Sequence, residues 1–169
     1  LRNERCRRRV ERPGGWGAGR TVISVLDMTA DQHSAAREPV RVLIVEDSKR
    51  LREQLGESIY SPGRIEVVGF AETEAEALEL LARAPCDAVV LDLQLRQGNG
   101  LAVLKALRAT SEGQTVTVIV LTNFAFPHFR DRSLELGADY FFDKAREYDR
   151  VREVLEELVA APAIRRTSI

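Results

Sequence analysis

The chain has 169 residues, of which 44% are hydrophobic and 30% charged, and a net charge of -1 at pH 7. That length suits one domain with a substantial core, and no apolar stretch approaches the ~20 residues that cross a bilayer as a helix, so a membrane-spanning protein is not expected. Cys6 and Cys86 are the only cysteines, too few for a disulfide framework or a zinc site, and a reducing, cytoplasmic compartment fits them best.

The charge is unevenly spread. Residues 1–27 hold seven Arg against three acids, which leaves about -5 on the rest of the chain. Arg2, Arg5, Arg7, Arg8, Arg9 and Arg12 precede Pro13, Gly14 and Gly15 with no apolar periodicity. Such a segment buries too little surface to offset the entropy of ordering it. Residues 1–37 are therefore expected to form a disordered basic extension, a nucleic-acid or transit arm being the alternative. Met28 is the only methionine and stands a dozen residues before the first strand, so it is the expected natural start. The folded domain is expected at 38–161, with a tail at 162–169.

Val40–Val45 reads as a strand apolar on both faces, as parallel strands covered by helices are. Leu51, Leu55 and Ile59 then recur at helical spacing, and Ser61-Pro62-Gly63 supplies a stop. Ile65–Phe70 is a second strand. Thr73-Glu74-Ala75-Glu76 follows as a capping box, opening a helix whose buried side is Ala77, Leu78 and Leu81. The spacing predicts a third strand over Asp87–Leu91, a third helix over Gly100–Arg108 and a fourth strand over Val116–Leu121. Pro127 and Gly137 suit the two ends of a fourth helix with a weak apolar stripe. Asp139–Asp143 is a fifth strand, and Val151, Val154, Leu155, Leu158 and Val159 mark a fifth, strongly amphipathic helix. Five alternations with short connections imply right-handed crossovers and a parallel sheet covered on both faces.

In such a sheet the ligand site lies beyond the carboxyl ends of the strands. Glu46 and Asp47 end the first strand, Asp92 the third, Thr122 the fourth and Lys144 the fifth, with 45, 30 and 22 residues between Asp47, Asp92, Thr122 and Lys144. Each has an ordinary reading alone: an acid pair opens a helix, an Asp opens a turn, and Thr or Lys is solvated. Together and in order, they point to one site. Three acids close together repel unless a cation neutralises them. An oxygen-only donor set without His or thiolate indicates a hard ion, and Mg²⁺ is the usual one where phosphate is handled. Asp92 has no packing role after Val89-Val90-Leu91. A carboxylate there can attack phosphorus if the charge on the equatorial oxygens is stabilised, which Mg²⁺, Lys144 and the Thr122 hydroxyl can do.

The chain resembles the receiver domain of two-component response regulators. The segments that carry the resemblance are Val40 to Ser48, Val89 to Leu95, Val118 to Asn123 and Gly137 to Lys144, within residues 38–161. The resemblance implies a flavodoxin-like, doubly wound α/β fold with strand order 2-1-3-4-5 and five helices. It implies that Asp92 accepts phosphate from the phosphohistidine of a sensor histidine kinase or phosphotransfer protein. Asp47 would bind Mg²⁺ directly, Glu46 through water, and Asp92 and the backbone carbonyl of Gln94 would complete the metal site. Thr122 and Lys144 would bind the phosphoryl group, and Phe141 takes the position of the aromatic switch residue, with core packing as its competing role. The output would be recognition of a downstream protein, the only catalysis being the chain's own phosphotransfer and dephosphorylation. A homodimer would use the face of helix four, strand five and helix five. Neither a membrane nor nucleic acid is expected as partner.

Three departures from the family pattern stand out. Ala145 replaces the usual cis-proline after the Lys, where a non-proline cis bond costs ~2.5–4 kcal/mol, so the loop before helix five is expected to differ. Arg96 replaces the usual Pro after strand three, predicting a less rigid loop and a positive charge near the site. Phe124 is apolar where a polar residue can steer an attacking water, which predicts slow loss of phosphate.

A stand-alone receiver is the leading expectation. The receiver portion of a DNA-binding regulator is the alternative. A flavin-binding flavodoxin-like enzyme is disfavoured, because two acids follow strand one where that chemistry needs a phosphate-cradling loop.

Overall fold

Val40–Val45 forms β1, buried along its length except at half-buried Arg41, as an apolar run must be when helices cover both faces of the sheet. The computed structural model describes residues 38–161, and the expectations for residues 1–37, Met28 included, and for residues 162–169 lie outside them. After β1 come α1 (Lys49–Ile59), β2 (Ile65–Ala71), α2 (Glu74–Arg83), β3 (Ala88–Leu91), α3 (Gly100–Arg108), β4 (Thr117–Thr122), α4 (Pro127–Glu135), β5 (Tyr140–Asp143) and α5 (Arg150–Ala160). All strand pairs are parallel and the order is β2-β1-β3-β4-β5. The doubly wound fold is as expected.

Alternate residues of each strand point to opposite faces, so one sheet builds two cores. Leu43, Val45, Val89, Leu91, Val118, Val120 and Phe141 pack under Ala77 of α2 and Val103, Leu104 and Leu107 of α3, with Phe129 of α4 against them. Val42, Ile44, Val90, Ile119, Leu121 and Phe142 pack under Leu55 and Ile59 of α1 and Val151, Val154 and Leu155 of α5. Truncating a buried side chain such as Ile44 to Ala costs about 2–5 kcal/mol. The strand ends are therefore held to a register that side-chain packing enforces.

The helices begin where their caps allow. Ser48 Oγ accepts from Leu51 N at 3.4 Å, Thr73 Oγ1 from Glu76 N at 3.2 Å, and Asn99 Oδ1 from Ala102 N at 2.9 Å. The capping box is shifted by one: the Glu76 carboxylate accepts from Glu72 N, at 2.8 Å, and not from Thr73. Past α4, Gly137 takes φ +95° after the Leu136 cap, a left-handed turn that glycine adopts at little cost.

Some bounds differ from the periodicity. Asp87 lies just before β3, and its carboxylate is held by Arg41, whose N–H, Nε and Nη2 donate at 2.8, 3.2 and 3.3 Å. The residues before β4 contain a short 3-10 turn, Glu112–Gln114, clamped by Arg108. That guanidinium donates to the carbonyls of Gly113, Val116 (2.8 Å) and Gly137 (2.8 Å) and pairs with Asp139 at 2.7 Å. No helix among the described residues is long and apolar enough to cross a membrane.

Candidate functional site

The five marked side chains stand at the strand ends, Thr122 on the last residue of β4, Glu46, Asp92 and Lys144 one residue past β1, β3 and β5, and Asp47 two past β1, because the backbone ladder carries them there. Glu46 N donates to Ala71 O at 2.9 Å, Asp92 N to Val45 O at 2.9 Å and Lys144 N to Thr122 O at 3.0 Å. The sheet is thereby extended just past its apolar residues, and polar side chains project from its carboxyl edge. Glu46 is 5% exposed, Asp92 7% and Thr122 fully buried, while Asp47 is half-buried.

Lys144 ties the site together. Its Nζ donates to Glu46 Oε2 and to Asp92 Oδ2, each at 2.5 Å. Asp92 Oδ1 accepts from Gln94 N at 3.2 Å, and Glu46 Oε1 from Ser48 N at 3.2 Å. Thr122 Oγ1 accepts from Phe124 N at 3.2 Å, an arrangement that leaves the hydroxyl proton to be donated elsewhere. Ala145 does not displace the lysine. The described residues contain no cis peptide bond, and Ala145 N donates to Asp143 Oδ1 at 2.8 Å, a bond that a proline at this position has no N–H to make.

Burial pushes the Glu46 carboxyl above the usual carboxylate range; the bond to Lys144 offsets part of this, and the charge of Asp92 adds to it. For Lys144 burial works against the charge, but the hydrogen bonds to Asp92 and Glu46 outweigh it and hold the ammonium above the usual lysine value. The two directions are compatible because Lys144 faces two carboxylates, whereas Glu46 shares one ammonium.

Carboxylate oxygens of Glu46, Asp47 and Asp92 lie within 4.8 Å of one another. Oxygens across an octahedral Mg²⁺ stand ~4.2 Å apart, so three hard donors at this spacing suit one such ion after small adjustments. The main chain of Gln94 runs beside Asp92, through the amide bond above and a bridge to Asn99, while its side chain points to solvent. Phe141 is 3% exposed and lies in the core under α3 and α4. Arg130 reaches it from α4, its guanidinium 5.7 Å from the ring centroid and Nη1 donating to the Phe141 carbonyl at 3.3 Å.

The loop from Gln94 to Gly100, which carries Arg96, is held by hydrogen bonds to its neighbours. Glu74 N donates to Gln97 O at 3.0 Å, Asn99 N to Glu74 Oε2 at 3.1 Å and Gly100 N to Leu93 O at 2.9 Å. At Gly100 an added Cβ would stand 2.1 Å from the carbonyl oxygen of Asp92. Only glycine lets α3 start this close to the carboxylate-bearing residue. Arg96 is exposed, and its charge is directed to Glu72 Oε2 at 3.2 Å.

Two residues of the site's surroundings escape the sequence patterns: Arg52 and Glu72, the carboxylate that Arg52 and Arg96 share. Arg52 is 8% exposed, donates from Nη1 to Glu46 O at 2.7 Å and from Nη2 to Glu72 Oε1 at 2.5 Å. Its spacing from Leu55 and Ile59 puts a charge on the buried stripe of α1, and that is the signal that could have found it.

The family model described as "Response regulator receiver domain" matches residues 42–156. Response regulator MprA of Mycobacterium sp. (strain KMS) is 37% identical over 132 residues, covering 77% of this chain and 53% of the relative. Protein-glutamate methylesterase/protein-glutamine glutaminase 2 of Saccharophagus degradans is 30% identical over 130 residues, covering 73% of this chain and 37% of the relative. Among solved structures, the response regulator domain of Thermotoga maritima CheB matches with a TM-score of 0.63 at 24% identity, over 78% of this chain and 100% of that one. The chain thus spans about half the length, or less, of these two curated relatives.

Proposed function

The chain belongs to the response regulator receiver family, and from that premise we propose that it is a phosphorylation-controlled binding module whose phosphoacceptor is Asp92. The observation that carries this reading is the placement of a 7% exposed Asp92 carboxylate 2.5 Å from the Lys144 ammonium, at the carboxyl edge of the sheet and beside two further acids.

An oxygen of Asp92 attacks the phosphorus of a phosphohistidine on a sensor kinase or phosphotransfer protein. The O–P bond forms as the P–N bond breaks, and the electron pair leaves on the imidazole nitrogen. Lys144 Nζ moves its hydrogen bond from the carboxylate to a phosphoryl oxygen as a point charge, and the Thr122 hydroxyl donates to another. Glu46, Asp47, Asp92 and the Gln94 carbonyl would hold Mg²⁺, which when bound supplies positive charge against the phosphoryl oxygens. An acyl phosphate adds charge and acceptor oxygens at Asp92. Thr122 is drawn toward it, Phe141 repacks into the space released, and the face of α4, β5 and α5 changes shape for a downstream protein or a second copy. The chain catalyses only its own phosphotransfer and dephosphorylation, and it acts in the cytoplasm.

Incubation of the wild type and Asp92→Asn with acetyl phosphate and Mg²⁺, followed by intact-mass measurement, tests this. One phosphoryl group on the wild type and none on the variant is the expected result, and no gain on the wild type overturns it.

The lengths of the curated relatives favour a second reading, in which this receiver is one part of a longer regulator, such as a DNA-binding one, and controls an attached output domain. A genomic reading frame that continues beyond Ile169 into a further domain supports it, and a stop codon there removes it.

A further inference from the structure

Arg52 sits on the inward stripe of α1 with buried Leu55 and Ile59. A guanidinium that is 8% exposed is unfavourable unless its donors are used. They are used in opposite directions. Nη1 holds the carbonyl of Glu46, which belongs to the peptide joining Glu46 to Asp47, and Nη2 holds Glu72, the first residue past β2. The second oxygen of Glu72 is taken by Arg96. Nothing in the phosphoryl chemistry above calls on Arg52 or Glu72.

Two opposing effects follow from an arginine in this place. As a positive charge near Glu46, Asp47 and Asp92, it weakens their attraction for a cation. As a two-armed donor, it fixes the orientation of the Glu46–Asp47 peptide, and that peptide decides where both carboxylates leave the backbone. The charge is partly offset by Glu72 at 2.5 Å, which weakens its repulsion, whereas the 2.7 Å bond holds the carbonyl directly. Positioning should win. Glu72 is a fourth carboxylate at this edge of the sheet, and with each oxygen engaged by an arginine it is kept from competing as a ligand.

We propose that Arg52 is a positioning residue for divalent-cation binding: it clamps the Glu46–Asp47 peptide so that both carboxylates face Asp92, with Glu72 bracing its other arm and Arg96 bracing Glu72. The inference rests on reading those three acids as the metal site.

The test is Mn²⁺ binding to the full chain, followed through the electron paramagnetic resonance signal of the free ion. Wild type, Arg52→Met, Arg52→Lys and Asp47→Asn are compared. Arg52→Met is expected to bind on the order of tenfold more weakly although it removes a positive charge, as supporting groups behind metal ligands do when lost. Arg52→Lys is expected to weaken binding as well, because one ammonium does not reproduce a two-armed fork. Unchanged or tighter binding in Arg52→Met overturns the proposal. Should that variant fail to fold by circular dichroism, wild-type affinity in Arg52→Lys overturns it instead. A wild type that binds no Mn²⁺ overturns the metal reading and this inference together. Binding that Asp47→Asn abolishes and the Arg52 variants keep overturns this inference alone.

Discussion

Lys144 Nζ and Asp92 Oδ2 lie 2.5 Å apart although 52 residues separate them in sequence, and the same ammonium is shared with Glu46. In the unphosphorylated protein this lysine makes two buried acids tolerable. On the proposed function it would already be within reach of the new charge, so little reorganisation would be needed for a phosphoryl group on Asp92.

Removing that lysine should be felt first as instability. Lys144→Ala leaves Glu46 and Asp92 buried without their cation, and a loss of about 3 kcal/mol is expected in urea unfolding, partly restored by millimolar Mg²⁺. The pH dependence has a definite sign. Burial holds the Glu46 pKa above its unfolded value near ~4.3, so its contribution to stability is complete below that value and is lost as pH rises through the raised one. The bond to Lys144 opposes that rise, so its loss raises the Glu46 pKa further in the variant, and the gap between variant and wild type should widen from pH 4 upward, measured as the urea midpoint. A gap that narrows with rising pH contradicts the assignment.

Gly100→Ala tests the approach of α3 to Asp92. The new Cβ meets the Asp92 carbonyl oxygen at 2.1 Å, and that oxygen is a backbone atom that cannot swing aside, so the helix start or the residue bearing the carboxylate must move. A loss of about 2 kcal/mol and a clear drop in the rate of phosphoryl uptake are expected. Wild-type uptake and wild-type stability together rule this out.

Phe124 concerns the lifetime of the phosphorylated form. Its ring contacts those of Phe126 and Phe129, at 6.5 and 6.4 Å between centroids, and it offers no polar side-chain group two residues after Thr122. Slow loss of phosphate is expected in Mg²⁺. Phe124→Asn, which can orient a water, should accelerate it by about tenfold or more, read from intact mass against time. A wild-type half-life of seconds counts against this.

How far the residues alone led depends on the kind of information needed. Strand positions such as Val89 to Leu91 were legible because a doubly covered parallel strand is an uninterrupted apolar run, and α3 because its apolar stripe is bounded by Gly100 and Arg108. Asp92 was legible because a carboxylate closing such a run has no packing use. Distances between strand ends were not, since they depend on strand order and register, and so the double contact of Lys144 came only with the structure. Arg52 was missed for another reason: charged side chains on helices are counted as solvated, although its spacing from Leu55 and Ile59 argues otherwise. The turn at Glu112–Gln114 is too short to carry any periodicity.

Cys86 should behave as an inert thiol. Burial, with the charge of Asp87 adding and that of Arg41 opposing, pushes it up to about 11. In a Cys6→Ser background, iodoacetamide at pH 8 should react roughly two orders of magnitude more slowly than with an ordinary thiol of pKa ~8.5, and the rate should keep climbing to pH 11. The raised pKa also means that its contribution to stability is complete below ~8.5 and is lost as pH rises through about 11. A rate that levels off below pH 9 refutes this.

β5 lies at one edge of the sheet and is the last strand among the described residues, yet Lys144, the residue that follows it, supplies the ammonium on which Glu46, 98 residues earlier, depends. Synthesis runs from the amino terminus, so a nascent chain released only as far as Thr122 contains the acids and the hydroxyl but not their counter-charge. On the proposed function, the full set of groups that would handle a phosphoryl group is assembled only once β5 and Lys144 have been made.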